Sequence, residues 1–296
     1  MKVLILGAGY SGLNVYYNLK KEKKINIKII SEDKYFKYYT LFFRSALFGK
    51  TFPRLYLNFV EVEKVKDVDF SAPMVITDKG NKYEPDLLII STGCKRKLEE
   101  FVKEIGSRDK VKIGVEDKFD EYLALQLVFY LKKLGRDVEY CGSYLDWLGK
   151  EVSEKVKEII DLEGIRTCEI PTIYFPPCEP SLDFGFLSVN ENLKVNEYCF
   201  AIGDIVKDMP KVGELAMREG IYVAKFILGV ESKPFSPIFI NILETPSGKG
   251  LHIRSNKLWG GNFVSVKYSR VRSIMKRFIE LYYTLRKGNM GILSRL

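Results

Sequence analysis

The residues of this 296-residue chain with chemistry to offer are a glycine-rich turn near the start, five scattered cysteines and an aspartate that ends an apolar run. The turn is Gly7-Ala8-Gly9-Tyr10-Ser11-Gly12; it follows the apolar run KVLIL and opens the amphipathic stretch LNVYYNLKKEKK. Glycines at these positions permit a tight turn, close approach of backbone to a pyrophosphate, and close packing of helix on strand. The free N–H groups at the helix start face the phosphates. Glu32 follows the next run, INIKIIS, where an acid would bind ribose hydroxyls. This pattern predicts a dinucleotide site using Gly7, Gly9, Ser11, Gly12 and Glu32, and leaves NAD and FAD both open. With one histidine, His252, the chain has almost no raw material for a zinc site or a serine triad, and no metal is expected.

Cys94, Cys141, Cys168, Cys178 and Cys199 are odd in number, widely spread and free of CxxC or metal-ligand spacing. They point to a reducing, cytoplasmic setting. Hydrophobic residues make up 46% of the chain, enough to bury a core and to build two modest domains. No run of eighteen apolar residues occurs, so neither a membrane span nor a signal peptide is expected. The net charge of +9 is uneven. From Lys267 onward come Arg270, Arg272, Lys276, Arg277, Arg286, Lys287 and Arg295 against the single acid Glu280. Abundant Lys and Glu with one Gln fit adaptation to heat across the remaining surface, but not this clustering.

The elements that must position these groups are legible in outline. Strand, glycine turn, helix and strand make a βαβ unit over the first thirty residues. A strand around Pro73 to Thr77, a turn at Lys79-Gly80-Asn81 and a buried strand DLLIISTG follow. VKIGV, a helix from Asp120 to Leu134, DVEYC and a helix from Glu151 to Leu162 repeat the rhythm. The Pro-rich FPPCEP then leads to VNEYCFAIGD, a helix from about Val212 to Leu228, and strands near Phe239 and His252. The fold class is α/β, with two Rossmann-like dinucleotide-binding domains, the second one trimmed, and a C-terminal amphipathic helical region. The expected boundaries are 1–95 with 185–231, then 96–184, then 232–296. In the last region Val271, Ile274, Phe278, Tyr282 and Leu285 recur at helical spacing while the basic residues fall outside that stripe. Such a helix either lies in an anionic membrane interface or packs on the protein's own core. Nucleic acid is not expected, since no aromatic-and-basic module accompanies the charge.

Phe200-Ala201-Ile202-Gly203-Asp204 resembles the second FAD motif of the two-dinucleotide-binding-domain flavoproteins, and Ser91-Thr92-Gly93 resembles their ATG motif. MPKVGELAMREGIYVAKFI, KLWGGNFVSV and FIELYYTLRKGNM resemble the sulfide:quinone oxidoreductase family, relatives of the type II NADH dehydrogenases; KYFKYYTLFFRSALFGK and YLALQLVFYLKKLG extend the match upstream. The resemblance implies FAD held by Gly7, Gly9, Ser11, Gly12, Glu32, Gly93, Gly203 and Asp204, with Lys211 beside the reduced ring. It further implies a membrane quinone as acceptor and peripheral attachment to the inner face of the cell membrane through residues 267–296. Homo-oligomer formation stays open. The family's two flavin-flanking cysteines fall here near Glu116 and Asn241. That leaves Cys178 as the redox thiol of choice and Cys94 as the other cysteine close to the flavin. A second glycine fingerprint is missing, since Glu116-Asp117-Lys118-Phe119-Asp120 follows VKIGV. The expected activity is FAD-dependent electron transfer from an unidentified donor to quinone. The alternatives are an NADH:quinone oxidoreductase and a non-catalytic, membrane-associated flavin-binding partner.

Overall fold

A strand apolar on both faces needs cover on both, and Lys2–Leu6 has it in the computed structural model, which describes residues 1–295. Val3 and Ile5 enter one core; Leu4 and Leu6 enter another. The strand is central in a five-stranded parallel sheet, flanked by Asn26–Ser31 and Leu87–Ile90, with Val60–Val62 and Cys199–Ala201 at the edges. On the first face lie the helices Tyr10–Leu19 and Gly213–Ile227. They approach so closely that a Cβ on Gly220 would lie 2.3 Å from the carbonyl oxygen of Ser11. The opposite face is covered by a three-stranded antiparallel sheet of Val65–Asp69, Met74–Thr77 and Lys82–Tyr83, whose Val68 and Val75 pack under Leu4, Leu6 and Leu88.

A second parallel sheet pairs Arg166–Thr167, Asp137–Cys141, Lys110–Gly114 and Ile173–Tyr174 in that order. The helices Glu121–Lys133 and Lys150–Leu162 seat Leu125, Val128, Val156 and Ile160 in its core. Two Rossmann-like α/β sheets are therefore present, as the βαβ rhythm predicts. The remaining chain is an antiparallel meander of Phe239–Glu244, Gly250–Ser255 and Val264–Ser269, followed by the helix Arg270–Leu285. The third of these strands is not anticipated from sequence, because Val264, Val266 and Tyr268 alternate properly but stay only half-buried.

The C-terminal helix is inverted relative to an ordinary surface helix. Ser273, Glu280 and Tyr283 are buried, whereas Val271, Ile274, Phe278, Leu281 and Leu285 are all more than half exposed. The reading in which the apolar stripe packs on the protein's own core is therefore corrected. The stripe also runs through Leu281 rather than Tyr282, which is half-buried and accepts the backbone N–H of Ile292 at 3.3 Å. Charge fixes this orientation. Arg44 pairs with both Glu244 and Glu280, Tyr130 donates to Glu244 at 2.6 Å, and Lys276 donates to Gln126 at 2.7 Å. Burial pushes the Glu244 carboxyl up, but Lys276 and Arg44 together outweigh it and hold the group at about 2. Rolling the helix to bury its stripe would strand those charges, and an unpaired buried charge costs roughly 3–5 kcal/mol. Among the described residues no helix is long and apolar enough to cross a membrane. Leu296 and the side chain of Arg295 lie outside the described part of the 267–296 segment.

The cysteines depart from expectation. Disulfides join Cys94 to Cys178 and Cys141 to Cys168, and only Cys199 keeps a free, buried thiol. Spacing could not show this. Cys141 ends one strand and Cys168 follows its neighbour in the sheet, while Cys94 and Cys178 are 84 residues apart and meet through the antiparallel pair Cys94–Lys95 and Glu179–Pro180. The cysteines therefore no longer argue for a reducing compartment.

Candidate functional site

Three neighbouring strands of the first parallel sheet, Lys2–Leu6, Leu87–Ile90 and Cys199–Ala201, end at one edge, and each runs straight into a glycine turn. The carboxyl ends of parallel strands are where open α/β sheets form their crevices. Gly7 has φ +98°, and a Cβ there would meet the carbonyl oxygen of Ser91 at 2.3 Å. At Gly12 a Cβ would meet the carbonyl oxygen of Gly7 at 2.2 Å and Ser91 Oγ at 2.5 Å. Ser91 secures this junction by donating to the carbonyls of Leu6 at 2.8 Å and Gly7 at 3.0 Å. Gly9, which caps the helix Tyr10–Leu19, instead faces open space, as does Gly93 with φ +68°. Thr92 Oγ1, between Ser91 and Gly93, is buried with no hydrogen-bond partner.

The third turn closes on the first two. Gly203 has φ +76°, and a Cβ on it would lie 2.6 Å from Ser11 Oγ. Ser11 is buried and turns its hydroxyl to the carbonyl of Ile202 at 3.4 Å. The Gly203 N–H donates to Glu219, which sequence reasoning missed; its signal is an acid on the buried face of the apolar helix Gly213–Ile227. Burial pushes the Glu219 carboxyl up to about 8. Asp204 is raised as well, by burial first, against the opposing pull of Lys211 and Arg96. Lys211 is not a solvated lysine. It is 8% exposed, donates to the carbonyl of Val206, and lies 4.5 Å above the Phe186 ring. Burial lowers its pKa, and Asp204 and Glu219 partly restore it.

A cleft of about 580 Å³ opens beside these groups, with Glu116, Cys178, Phe186 and Lys211 among its lining. The sulfurs of Cys94 and Cys178 and a carboxylate oxygen of Asp204 all lie within 4.8 Å of one another. Glu32, by contrast, is half-exposed at the edge of the site, with Lys95 Nζ 3.4 Å away. The segment in place of a second glycine fingerprint is ordered by its own acids. Asp117 caps the turn by accepting from the Phe119 N–H at 2.9 Å, and Asp120 is buried against Arg96.

A cofactor with a pyrophosphate and a flexible polyol fits this donor set. Open backbone at Gly9 and Gly93, a helix N-terminus, an unpartnered Thr92 hydroxyl and the Asp204 carboxylate all follow the carboxyl ends of three neighbouring strands of one sheet.

The pH behaviour of Glu219 provides a check on the joint. Its folded-state pKa stands above the ordinary carboxylate value, so the folded chain holds a proton that the unfolded chain releases. The stability that Glu219 contributes therefore falls as pH rises from about 4.5 to about 8. Glu219→Gln, which keeps an acceptor for the Gly203 N–H, is expected to flatten that decline by on the order of a few kcal/mol. Urea unfolding at pH 5 and pH 8.5 measures it; parallel declines in both proteins would contradict the assignment.

No protein-family model matches the chain. Curated relatives include a type II NADH:quinone oxidoreductase of Staphylococcus epidermidis, 30% identical over 153 residues, or 47% of this chain and 34% of the relative. A sulfide-quinone reductase of Aquifex aeolicus is 30% identical over 105 residues, 31% of this chain and 24% of that protein. The matched part thus spans about a third or less of these relatives' length. Among solved structures, the sulfide:quinone oxidoreductase from the hyperthermophilic bacterium Aquifex aeolicus superposes with a TM-score of 0.80 at 19% identity, covering 98% of this chain and 92% of that one. The NADH:rubredoxin oxidoreductase from Clostridium acetobutylicum superposes with a TM-score of 0.63 at 19% identity, covering 85% and 81%. Shared fold and partial sequence similarity together relate this chain to the sulfide:quinone oxidoreductase family and its type II NADH:quinone oxidoreductase relatives.

Proposed function

We propose that the chain is a FAD-dependent oxidoreductase of the sulfide:quinone reductase type that passes two electrons from a donor to a membrane quinone. The observation that carries this is the convergence of the turns 7–12, 91–93 and 203–204 on one edge of a single sheet. Residues 1–95 and 185–231 form the FAD-binding domain in this reading, 96–184 a second α/β domain, and 232–296 the quinone- and membrane-facing region. Backbone at Gly7, Gly9, Ser11 and Gly12 holds the pyrophosphate, Glu32 the ribose, and Gly93 and Gly203 admit the cofactor closely. Asp204 accepts from its polyol hydroxyls. A flavin bound there supplies two-electron acceptance and release. Lys211, fixed on the Val206 carbonyl just ahead of the helix Gly213–Ile227, offers a buried cation to the reduced ring. NADH as donor is the weaker reading, because Glu116 and Asp117 stand where a second pyrophosphate would lie.

The inverted C-terminal helix supports attachment to a bilayer surface. Full withdrawal of a Val, Leu, Ile or Phe side chain from water contributes about 2 kcal/mol, and the stripe has five of them. Each basic residue near anionic lipid adds roughly 1 kcal/mol. The stripe's side chains are 57–73% exposed, so apolar burial and basic attraction are of similar size and act together on an anionic surface.

Two measurements test these parts. Asp204→Ala is expected to emerge from purification without FAD while the parent chain retains it; undiminished flavin absorbance in the variant would contradict the role. The triple change Ile274→Ser, Phe278→Ser, Leu281→Ser leaves the buried face of the helix intact and is expected to lose at least ten-fold in flotation with anionic liposomes. Unchanged flotation would remove the stripe from the membrane contact.

A further inference from the structure

The Cys94–Cys178 disulfide differs from Cys141–Cys168 in its surroundings. Its sulfurs are beside Asp204 at the convergence of the three glycine turns, and Cys178 lines the 580 Å³ cleft that also contains Lys211. Cys94 is not part of that lining. Cys178 is thus the member of the pair that borders the cleft, and attack there would make Cys94 the leaving group. The pair is held by its frame: Cys94 is opposite Pro180 in a short antiparallel ladder, and Ser181 donates to the Gly93 carbonyl at 2.9 Å. The cleft has the size of a small-molecule site. Along its lining, Lys118, Lys207 and Lys211 match the acids Glu116, Asp117 and Asp208 in number, so the wall carries no excess of negative charge.

We infer that Cys94–Cys178 is a thiol-exchange site at which a small organic dithiol delivers electrons to the protein. This names the donor class for the oxidoreductase proposed above and rests on that reading for where the electrons go next. In the exchange, a donor thiolate attacks Sγ of Cys178, a donor–Cys178 disulfide forms, and Cys94 leaves as a thiolate that takes up a proton. The donor's second thiol then attacks its own bonded sulfur, closing the donor disulfide and releasing Cys178, which is protonated in turn. The donor loses two electrons and two protons; the pair gains both and ends as two thiols.

The test uses the full chain, oxidised and kept anaerobic, with limiting dithiothreitol as the probe. Samples are quenched by alkylation at intervals, and each cysteine peptide is followed by mass spectrometry. Cys94 and Cys178 are expected to be alkylated at least about ten-fold faster than Cys141 and Cys168 in the same molecules. In a second arm, oxidised glutathione is added to Cys94→Ser and to Cys178→Ser, and the adduct is expected at Cys178 in the first far faster than at Cys94 in the second. Equal opening of the two disulfides in the unaltered chain, or faster capture at Cys94, would overturn the inference. The readout is independent of any flavin spectrum. A flavin-free protein whose pair still exchanges supports the pair and counts against the flavin reading alone; a flavin-bound protein whose pair does not exchange does the reverse.

Discussion

Backbone meeting backbone, with no side chain between, is the constraint on which the site depends. The ends of Lys2–Leu6, Leu87–Ile90 and Cys199–Ala201 can share one crevice only because Gly7, Gly12 and Gly203 have no Cβ. Each would otherwise drive an atom to within 2.6 Å of a carbonyl or of a serine hydroxyl. Gly220 does the same one layer away, letting the helix Gly213–Ile227 rest on Ser11. A single added methyl group at any of these positions forces backbone or a serine side chain to move, and the strand ends are what carry the Thr92 and Asp204 side chains. Packing and chemistry are therefore coupled through the same few atoms.

Buried charge organises the rest. Glu219, Asp204 and Lys211 are removed from water together beside the crevice, and each shifts in the direction that disfavours its charge. A group that can take or give up a proton near neutrality is maintained this way at the cost of stability. Elsewhere in the chain, Arg44 bridges two carboxylates from different elements, Glu244 on the meander and Glu280 on the C-terminal helix. That bridge determines which face of the helix looks outward, so an apolar surface is exposed because a charged one is satisfied. The two halves of the proposed function, electron entry in the cleft and attachment at a lipid surface, are thus built by the same device, buried charge.

What was legible in the sequence follows from how local each constraint is. The turn at Gly7 to Gly12 is a local requirement and reads directly from residue type. The same holds for Gly203-Asp204 and for helices such as Glu121–Lys133. Adjacency was not legible. That Leu87–Ile90 separates Lys2–Leu6 from Cys199–Ala201 is a property of the sheet, as is the meeting of Cys94 with Cys178 across 84 residues. The stripe Val271, Ile274, Phe278 could be read, but its direction could not, since this depends on Arg44, Gln126 and Glu244 arriving from elsewhere. Glu219 was visible only as an anomaly in an apolar helix, and the strand Val264–Ser269 alternates properly but is too short, with only half-buried apolar positions, to stand out from the turn-rich stretch before it.

Reoxidation of bound flavin by quinone is the step on which the proposed activity stands or falls. The FAD-loaded protein is reduced anaerobically with a stoichiometric amount of dithionite, then mixed with a short-chain quinone while the visible spectrum is followed. The oxidised flavin bands are expected to return immediately, with one quinone reduced per flavin. A chain that takes up no FAD, or one whose bound flavin stays reduced in the presence of quinone, would contradict the proposed activity.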